Sequence, residues 1–484
     1  MLFKADDCTD KSFHLYVRYL CLARISIEMR VAHLKGVCAV RVLHWTIGLA
    51  LLAIAGPVVA QSAVQSAFDY NLNQASCAEA ADEPSCECDS SCGDACDTGC
   101  CDSVGCGDCC STSCGCCLFG NCCLGEPYKI KDCLIGPCCW LDVGGWTQLG
   151  YHSDETRFSR EFGDLRAFND VPDGLRLQQQ WLYFEKLAEA GECTGDWGFR
   201  FDVVYGTDAQ KTQAFGNDDA RWDHAEAFDH GIYGWALPQA YLQLAYGDWD
   251  VKIGHFFTLV GYEVIPAPQN FFYSHSYTMF NSEPFTHTGV LAAYNGFEDI
   301  VFHMGWVLGW DTGFDQAFGG SAAHAGFITD LTDDVKLSYM MTGGDFGRRS
   351  AGTDGYSHSI VFDVSLSEKM NYVFQSDYYQ SNGSFDDPNA ALDEKGINQY
   401  LFYTLNDCWA LGLRAEWWKS NAFTPGNQSY YEITYGVNYK AHANVIVRPE
   451  IRHNWTPGEV AYANNNGGVD FDQTVFGIDC ILTY

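Results

Sequence analysis

Residues 140–484 contain no apolar run near the length of a membrane helix, few prolines and only three of the 24 cysteines. A membrane helix needs about 20 apolar residues, so helical spans are excluded there. Basic residues are scarce as well, with 28 Lys and Arg against 62 Asp and Glu. Because phosphate binding requires a clustered basic surface, nucleic acid is excluded as a partner. The acidic excess is compatible with a cation-preferring pore, with divalent-cation coordination, or simply with solubility.

Catalytic motifs are also absent. The sequence contains no HExxH, no GxSxG, no P-loop and no Gly-rich dinucleotide fingerprint. Its histidines are scattered, and their spacing gives little support to a metal site. We therefore expect no enzymatic activity, no metal and no cofactor.

The first 60 residues have the features of a signal peptide. The apolar run 42–60 follows basic residues and ends in small residues before Gln61. The residues ahead of Met29 are polar and mixed, which favours translation from Met29. A single membrane anchor is the alternative, since the run is barely long enough to span a bilayer.

Residues 61–139 form a separate, Cys-rich segment. Eighteen of the 24 cysteines lie between Cys77 and Cys139, among few aromatic or β-branched residues. In an exported chain this composition is typical of an irregular disulfide scaffold, whose bridges could also reach a surface layer. Metal-thiolate binding is the competing interpretation, because Cys106 and Cys109 have a zinc-like spacing, but the segment has no His.

The remainder, 140–484, repeats stretches of about ten residues in which apolar and polar side chains alternate. The last one, Phe471–Tyr484, is apolar on the side of Phe476 and Leu482 and mixed on the side of Gly477 and Asp479. Alternation with period two is the pattern of a strand with two unlike faces. A membrane barrel and a soluble β-sandwich both have such strands.

Aromatic residues at both ends of the apolar faces favour the barrel. Trp409 and Trp417 flank one stretch, and Tyr431 and Tyr439 flank the next. On a tilted strand such pairs span roughly the height of an outer-membrane apolar band, about 25 Å.

Short and long connections alternate along the same region, which is the asymmetry of outer-membrane barrels. Short turns are predicted near Asp248, 333–334, 368–369 and 406–407, and long loops at 207–234, 259–284 and 382–395. The sequence thus predicts an all-β fold: a transmembrane antiparallel up-and-down β-barrel of about 16 strands over 140–484. The signal peptide (1–60) and the Cys-rich irregular segment (61–139) precede it.

Several motifs of this region are similar to a known family. They are Gly144-Gly145-Trp146-Thr147, Pro238–Leu242 with Lys252–Phe256, and the segment from Gly261 to Ser274. Over about 140–484 the chain resembles the OmpL-like porin-2 family of β-barrel porins. The resemblance implies an outer-membrane location and a pore whose substrates are mostly undefined. The Cys-rich segment departs from the usual pattern of the family and leaves open whether the pore is partly covered from the periplasmic side.

Charged residues on the polar strand faces are the candidates for the pore lining. A passive channel needs no reactive group, only lumen charges that replace part of the hydration of a solute. Charges of both signs could set a transverse field across a constriction, or they could pair across strands and only stabilise the wall. The candidates are Arg200, Asp202, Asp363, Asp377, Arg414, Glu416, Glu432, Lys440, Arg448, Glu450 and Arg452.

The loop from Tyr262 to Thr286 is long and rich in Phe, Tyr, Pro and Asn. Folded into the lumen, it would narrow the pore and offer aromatic rings to sugar faces. Packed outside, it would contact a neighbouring protomer or a surface layer. The aromatic density favours the inward position, with Glu263, Phe271, Phe272, Tyr273 and Glu283 as constriction residues.

These observations predict an outer-membrane porin for passive diffusion of small hydrophilic solutes, with a preference for cations. Outer-membrane lipid is the expected surrounding, and a homo-oligomer is compatible with it. Two alternatives stay open: a structural or adhesive surface barrel crosslinked through the Cys-rich segment, and a secreted soluble all-β binding protein.

Overall fold

The computed structural model describes residues 124–136, 140–153, 167–191, 194–218, 221–384, 387, 389–422, 428–457, 462–463, 469–470 and 472–484. The predicted signal peptide lies outside these residues, as does the predicted Cys-rich segment up to residue 123 and at 137–139. The described residues thus comprise the barrel region and the short segment that precedes it.

Sixteen antiparallel strands form one closed barrel, in which each strand pairs with its sequence neighbours and the last pairs with the first. The strands are β1 (Asp142–His152), β2 (Arg176–Lys186), β3 (Gly195–Gly206), β4 (Gly234–Tyr246), β5 (Trp249–Phe257), β6 (Thr286–Tyr294), β7 (Ile300–Val307), β8 (Ser321–Thr332), β9 (Val335–Asp345), β10 (Asp354–Ser367), β11 (Met370–Ser381), β12 (Leu392–Asn406), β13 (Trp409–Ser420), β14 (Gln428–His442), β15 (Val445–Trp455) and β16 (Asp472–Thr483). The predicted up-and-down barrel and its strand number are confirmed.

Short elements occupy the connections. They are the helices α1 (Ile130–Leu134), α2 (Ala209–Thr212) and α3 (Tyr277–Ser282), 3-10 turns at Ala167–Asn169, Ala267–Gln269, Ala317–Gly319 and Gly347–Ser350, and short strands at Phe215–Asp218, Tyr462–Ala463 and Val469–Asp470. No helix in the described part of the chain is long and apolar enough to cross a membrane.

The two ends of the barrel differ. One end, here the short-turn end, has tight connections such as 247–248, 333–334, 368–369, 407–408 and 443–444. The other, the long-loop end, carries the connections 207–233, 258–285, 308–320 and 382–391. This is the predicted asymmetry, except that β12 begins at Leu392, inside the range 382–395 that was expected to be loop.

The outer wall of the barrel is apolar and exposed. Tyr435 and Ile451, near the middle of β14 and β15, are 57% and 50% exposed. Aromatic pairs lie at both ends: Trp409 stacks on Tyr439 at the short-turn end, with ring centroids 4.3 Å apart, and Tyr431 stacks on Trp455 at the other. A soluble sandwich would bury such faces against a second sheet, whereas a membrane barrel turns them towards lipid.

Candidate functional site

The connection 258–285 lies inside the barrel, and we call it the lumen loop. Its side chains contact distant parts of the inner wall: the Phe271 ring is 4.8 Å from the Phe402 ring of β12. On the other side, the Tyr273 hydroxyl contacts the amide of Gln178 on β2 at 2.5 Å. Helix α3 of the loop is entirely buried, and Tyr277 stacks on Trp418 of β13. The predicted inward position is thus the one observed.

Glycines of the inner wall make this close approach possible. A Cβ at Gly412 would lie 2.2 Å from Cε1 of Phe271, and one at Gly150 would lie 2.5 Å from the Tyr273 hydroxyl. Such distances are shorter than van der Waals contact, so a side chain at either position would displace the loop ring.

Arg414 of β13 is the centre of the contacts between wall and loop. Its guanidinium donates from Nη1 to Glu263 Oε1 (2.6 Å) and to the Ser274 carbonyl (2.7 Å), both in the lumen loop. On the wall its Nε donates to Glu432 Oε1 of β14 at 2.5 Å. Since Arg414 has no exposed surface, its charge is balanced by these neighbours rather than by water.

Two arginines of β15 hold carbonyl groups of the loop. Arg448 donates from Nη1 to the carbonyls of Ala267 (2.9 Å) and Asn270 (2.6 Å), and also pairs with Asp479 of β16. Arg452 donates to the carbonyl of His275. These bonds supply hydrogen-bond donors to carbonyl groups of the irregular loop backbone.

Carboxylates of the wall hold main-chain donors of the loop in the same way. Glu450 accepts from the N–H groups of Tyr273 (2.9 Å) and Ser274 (3.1 Å). Glu416 accepts from the N–H groups of Tyr277 and Thr278, both at 2.7 Å. The wall charges therefore bind the loop backbone, a role that neither sequence interpretation had considered.

Burial and neighbouring charges set the protonation of the loop groups. Burial alone would raise the pKa of Glu263, but the adjacent Arg414 guanidinium holds that pKa below its usual value. Burial raises the pKa of Glu283 well above its usual range, and the Asp377 charge raises it further. Burial lowers the pKa of His275 to about 4, so its imidazole is neutral at pH 7.

Asp377 lies near Glu283 of the loop, and the other predicted lining residues lie apart from this cluster. Arg200 pairs with Glu185 of β2 (3.0 Å) and with Asp202 of its own strand (2.8 Å). Asp363 and Lys440 are half-buried near the short-turn end of β10 and β14. Of the constriction candidates, Phe272 packs with Phe271 against the wall residues of β10 to β12.

Three polar residues that contact this cluster or the loop were missed by the sequence analysis. Asp479 is the register partner of Arg448, and its place on the polar side of the last stretch was a usable signal. Glu394 accepts from the Ser282 hydroxyl but lies where a loop was predicted. Arg349, which donates to the Asn281 carbonyl, is in a 3-10 turn and had no periodic pattern to mark it.

A closed barrel with a lipid-compatible outer wall and a polar lumen crossed by one long loop is the architecture of an outer-membrane channel protein. The family model described as "Putative beta-barrel porin-2, OmpL-like" matches residues 140–484. The chain belongs to this family, and it is an outer-membrane porin.

Solved barrels with low sequence identity are also similar to the chain. The outer-membrane channel DcaP of Acinetobacter baumannii is 11% identical, with 71% of this chain and 97% of DcaP covered and a TM-score of 0.48. OmpT of Vibrio cholerae is 12% identical, with 71% and 97% covered and a TM-score of 0.46. No curated protein matches the chain.

Proposed function

We propose that this porin is a passive diffusion channel for small hydrophilic solutes that favours cations over anions. The observation that carries the proposal is the imbalance of charge around the lumen loop. Basic groups there are neutralised by carboxylates, whereas several carboxylates have no basic partner.

Four arginines of the inner wall are paired with carboxylates. Arg414 and Arg452 share Glu432, Arg448 pairs with Asp479, and Arg200 pairs with Glu185 and Asp202. A guanidinium that already contacts a carboxylate contributes little net field to a passing anion.

Among the described residues, several carboxylates near the loop have no arginine or lysine partner. Glu416 and Glu450 accept main-chain N–H groups of the loop, which are dipoles rather than full charges. Glu283 and Asp377 make no ion pair within the described residues. The constriction therefore holds more carboxylates than basic groups, which favours cations over anions.

The loop also limits solute size. From Phe272 to Phe285 every residue is buried, so this part of the loop is packed against the wall. Gln269 is exposed and Tyr262, Asn270 and Phe271 are half-buried, so these residues border the remaining space. A lumen narrowed by a packed loop suits ions and small polar molecules.

The test is single-channel recording in a planar bilayer, with protein purified from the outer membrane and a KCl gradient across the bilayer. We expect stepwise openings and a reversal potential of the sign that indicates cation preference. A reversal potential of the opposite sign would contradict the cation preference. If the protein migrates on a denaturing gel as a folded, heat-modifiable barrel but shows no single-channel current, the proposed channel function would be contradicted.

A second candidate is an anchoring barrel without a conducting route, crosslinked at the cell surface. The burial of the loop from Phe272 to Phe285 favours it. This candidate predicts silent bilayers together with release of the protein from the cell envelope by a reducing agent. Stepwise conductance with no effect of the reductant on extraction would exclude it.

A further inference from the structure

Two carboxylates of the lumen are buried in the same region without a basic partner. Glu283 of the lumen loop is 3% exposed and Asp377 of β11 is 4% exposed. Gln375, on the same inward face as Asp377, donates from Nε2 to Glu283 Oε1 at 2.5 Å. This bond places the loop carboxylate beside the polar face of β11. Within the part of the chain that the structure describes, neither carboxylate forms an ion pair.

An arrangement of this kind needs a positive charge. Burial removes a carboxylate from water, and a second carboxylate nearby adds repulsion, so two unbalanced charges are strongly unfavourable there. Either a proton or a cation from the lumen must compensate for them. The surrounding side chains indicate whether the site accommodates a proton or a cation.

Neutral polar atoms without partners face the same region. Asn398 of β12 has no exposed surface, and it is the register neighbour of Gln375. Neither its amide oxygen nor its amide nitrogen has a hydrogen-bond partner. The hydroxyl of Tyr400, two residues further on the same inward face, also has none. Buried polar atoms in folded proteins are nearly always satisfied, so these point to a bound species.

The main chain at Gly261 leaves room for the Glu283 carboxylate. A Cβ at Gly261 would lie 2.0 Å from Glu283 Oε2, and the φ angle of +90° at this position is one that only glycine adopts readily. The carboxylate is thus seated against the start of the loop, opposite the atom that Gln375 holds. Its position is fixed before any ligand arrives.

We propose that Glu283, Asp377, Asn398 and Tyr400 form a binding site in the lumen for a hard inorganic cation. Ca²⁺ is the proposed ion, because its two positive charges match those of the two carboxylates. Carboxylate, amide and hydroxyl oxygens are the ligands that such cations prefer. No group of three or more His, Cys, Asp or Glu side chains among the described residues is arranged to hold a metal. The site therefore differs from a closed transition-metal centre. The inference rests on the proposed function, because it gives the cation preference a location.

Protons compete with the cation at this site. Burial raises the pKa of Glu283 well above its usual range, with Asp377, Glu263 and Glu416 acting in the same direction and the Gln375 hydrogen bond opposing them. Cation binding requires deprotonated carboxylates and should therefore weaken as the pH falls.

The test is calorimetric titration of Ca²⁺ into the detergent-solubilised protein in KCl buffer. We expect one saturable site per chain, with affinity reduced at least about tenfold in Glu283→Gln and Asp377→Asn and several-fold in Asn398→Leu. Glu368→Gln, in an exposed short turn, is the matched control and should bind as the wild type does. Heat-modifiable migration verifies that each variant is folded.

A readout that needs no variant is Tb³⁺ emission excited through tyrosine in the wild-type protein and displaced by Ca²⁺. The absence of saturable binding in both measurements would overturn the proposal, and so would equal losses in Glu368→Gln and Glu283→Gln. Equilibrium binding does not require an open pore. A silent bilayer with intact Ca²⁺ binding would therefore overturn the channel function and leave the site standing.

Discussion

Arg414 of β13 and Glu263 of the lumen loop form a buried ion pair with an N–O distance of 2.6 Å. The remaining donors of the guanidinium are also used, by Glu432 and Thr434 on the wall and by Ser274 in the loop. A guanidinium offers five N–H donors in a fixed plane, and here they join two strands to one loop. This side chain therefore makes a central contribution to holding the loop in its position across the lumen.

Replacing Arg414 with Met should release the loop. The change leaves Glu263 and Glu432 buried with less compensation, and breaking a buried pair typically costs about 3–5 kcal/mol. We expect a lower free energy of unfolding in vesicles, measured by urea titration, and larger or noisier single-channel currents as the loop detaches.

Lys336→Met is the control, since Lys336 is only half-buried, its partner Asp330 is exposed, and the two charges are 3.8 Å apart. Its effect on the free energy of unfolding should stay within about 0.5 kcal/mol. If Arg414→Met behaved like this control in both measurements, the pair would not be what positions the loop.

Gly412→Ala should disturb the loop from the wall side. The new methyl group would lie 2.2 Å from Phe271 Cε1, and overpacking of this kind costs about 1–3 kcal/mol. Gly343→Ala is the matched control, because the nearest atom to its Cβ would be Tyr356 Cδ2 at 3.8 Å. Urea unfolding should show destabilisation of the first variant only. Equal midpoints for the two variants would contradict the close contact of Phe271 with the wall.

The strands were predictable from sequence because alternation with period two has a direct spatial meaning. In β13, Leu411 is exposed on the outer wall, whereas Arg414 and Glu416 are buried on the inner face, as the alternation indicates. In a membrane barrel with a polar lumen, polar side chains face the lumen and apolar side chains face the lipid. The alternation alone therefore assigns each strand residue to a face, without knowledge of tertiary contacts.

The contacts of the lumen loop were not predictable in the same way. Arg414 could be assigned to the inner face, but its bond to the Ser274 carbonyl depends on an irregular backbone 140 residues away in sequence. Glu394 was missed because Asp393, Glu394 and Lys395 are all polar, and a fully polar run resembles a loop. Long-range partners of this kind require the loop conformation itself, which no local pattern encodes.

His275 should make the stability of the protein depend on pH. Its buried imidazole packs on Phe168, with ring centroids 4.7 Å apart, and burial lowers its pKa from 6.5 to about 4. As the pH falls below 6.5, the unfolded chain takes up a proton that the folded chain cannot. The contribution of His275 to stability is complete above pH 6.5 and should fall by about 2 kcal/mol by pH 5.

The measurement is the free energy of unfolding at pH 7 and at pH 5 for the wild type and His275→Gln. The variant should lose less stability than the wild type across this interval, whereas the exposed His230→Gln should follow the wild type. If His275→Gln kept the full wild-type slope, the titration would have to be assigned to other groups.

Ile451→Arg tests the orientation of the wall in the bilayer. Ile451 is 50% exposed, lies near the middle of β15 and is flanked across the sheet by Tyr435 and Phe476, which are also exposed. An arginine facing lipid at the midplane of a barrel costs about 2–4 kcal/mol, and the cost falls to about 0–1 kcal/mol near the interface. Trp455→Arg, on the same face at the long-loop end of β15, is therefore the matched control. Folding into lipid vesicles, followed by heat-modifiable migration against urea, should show a loss for Ile451→Arg that is clearly larger than for Trp455→Arg. Because Trp455 also stacks on Tyr431, each arginine variant is compared with the glutamine variant at the same position. If arginine cost no more than glutamine at position 451, Ile451 would not face the centre of the membrane.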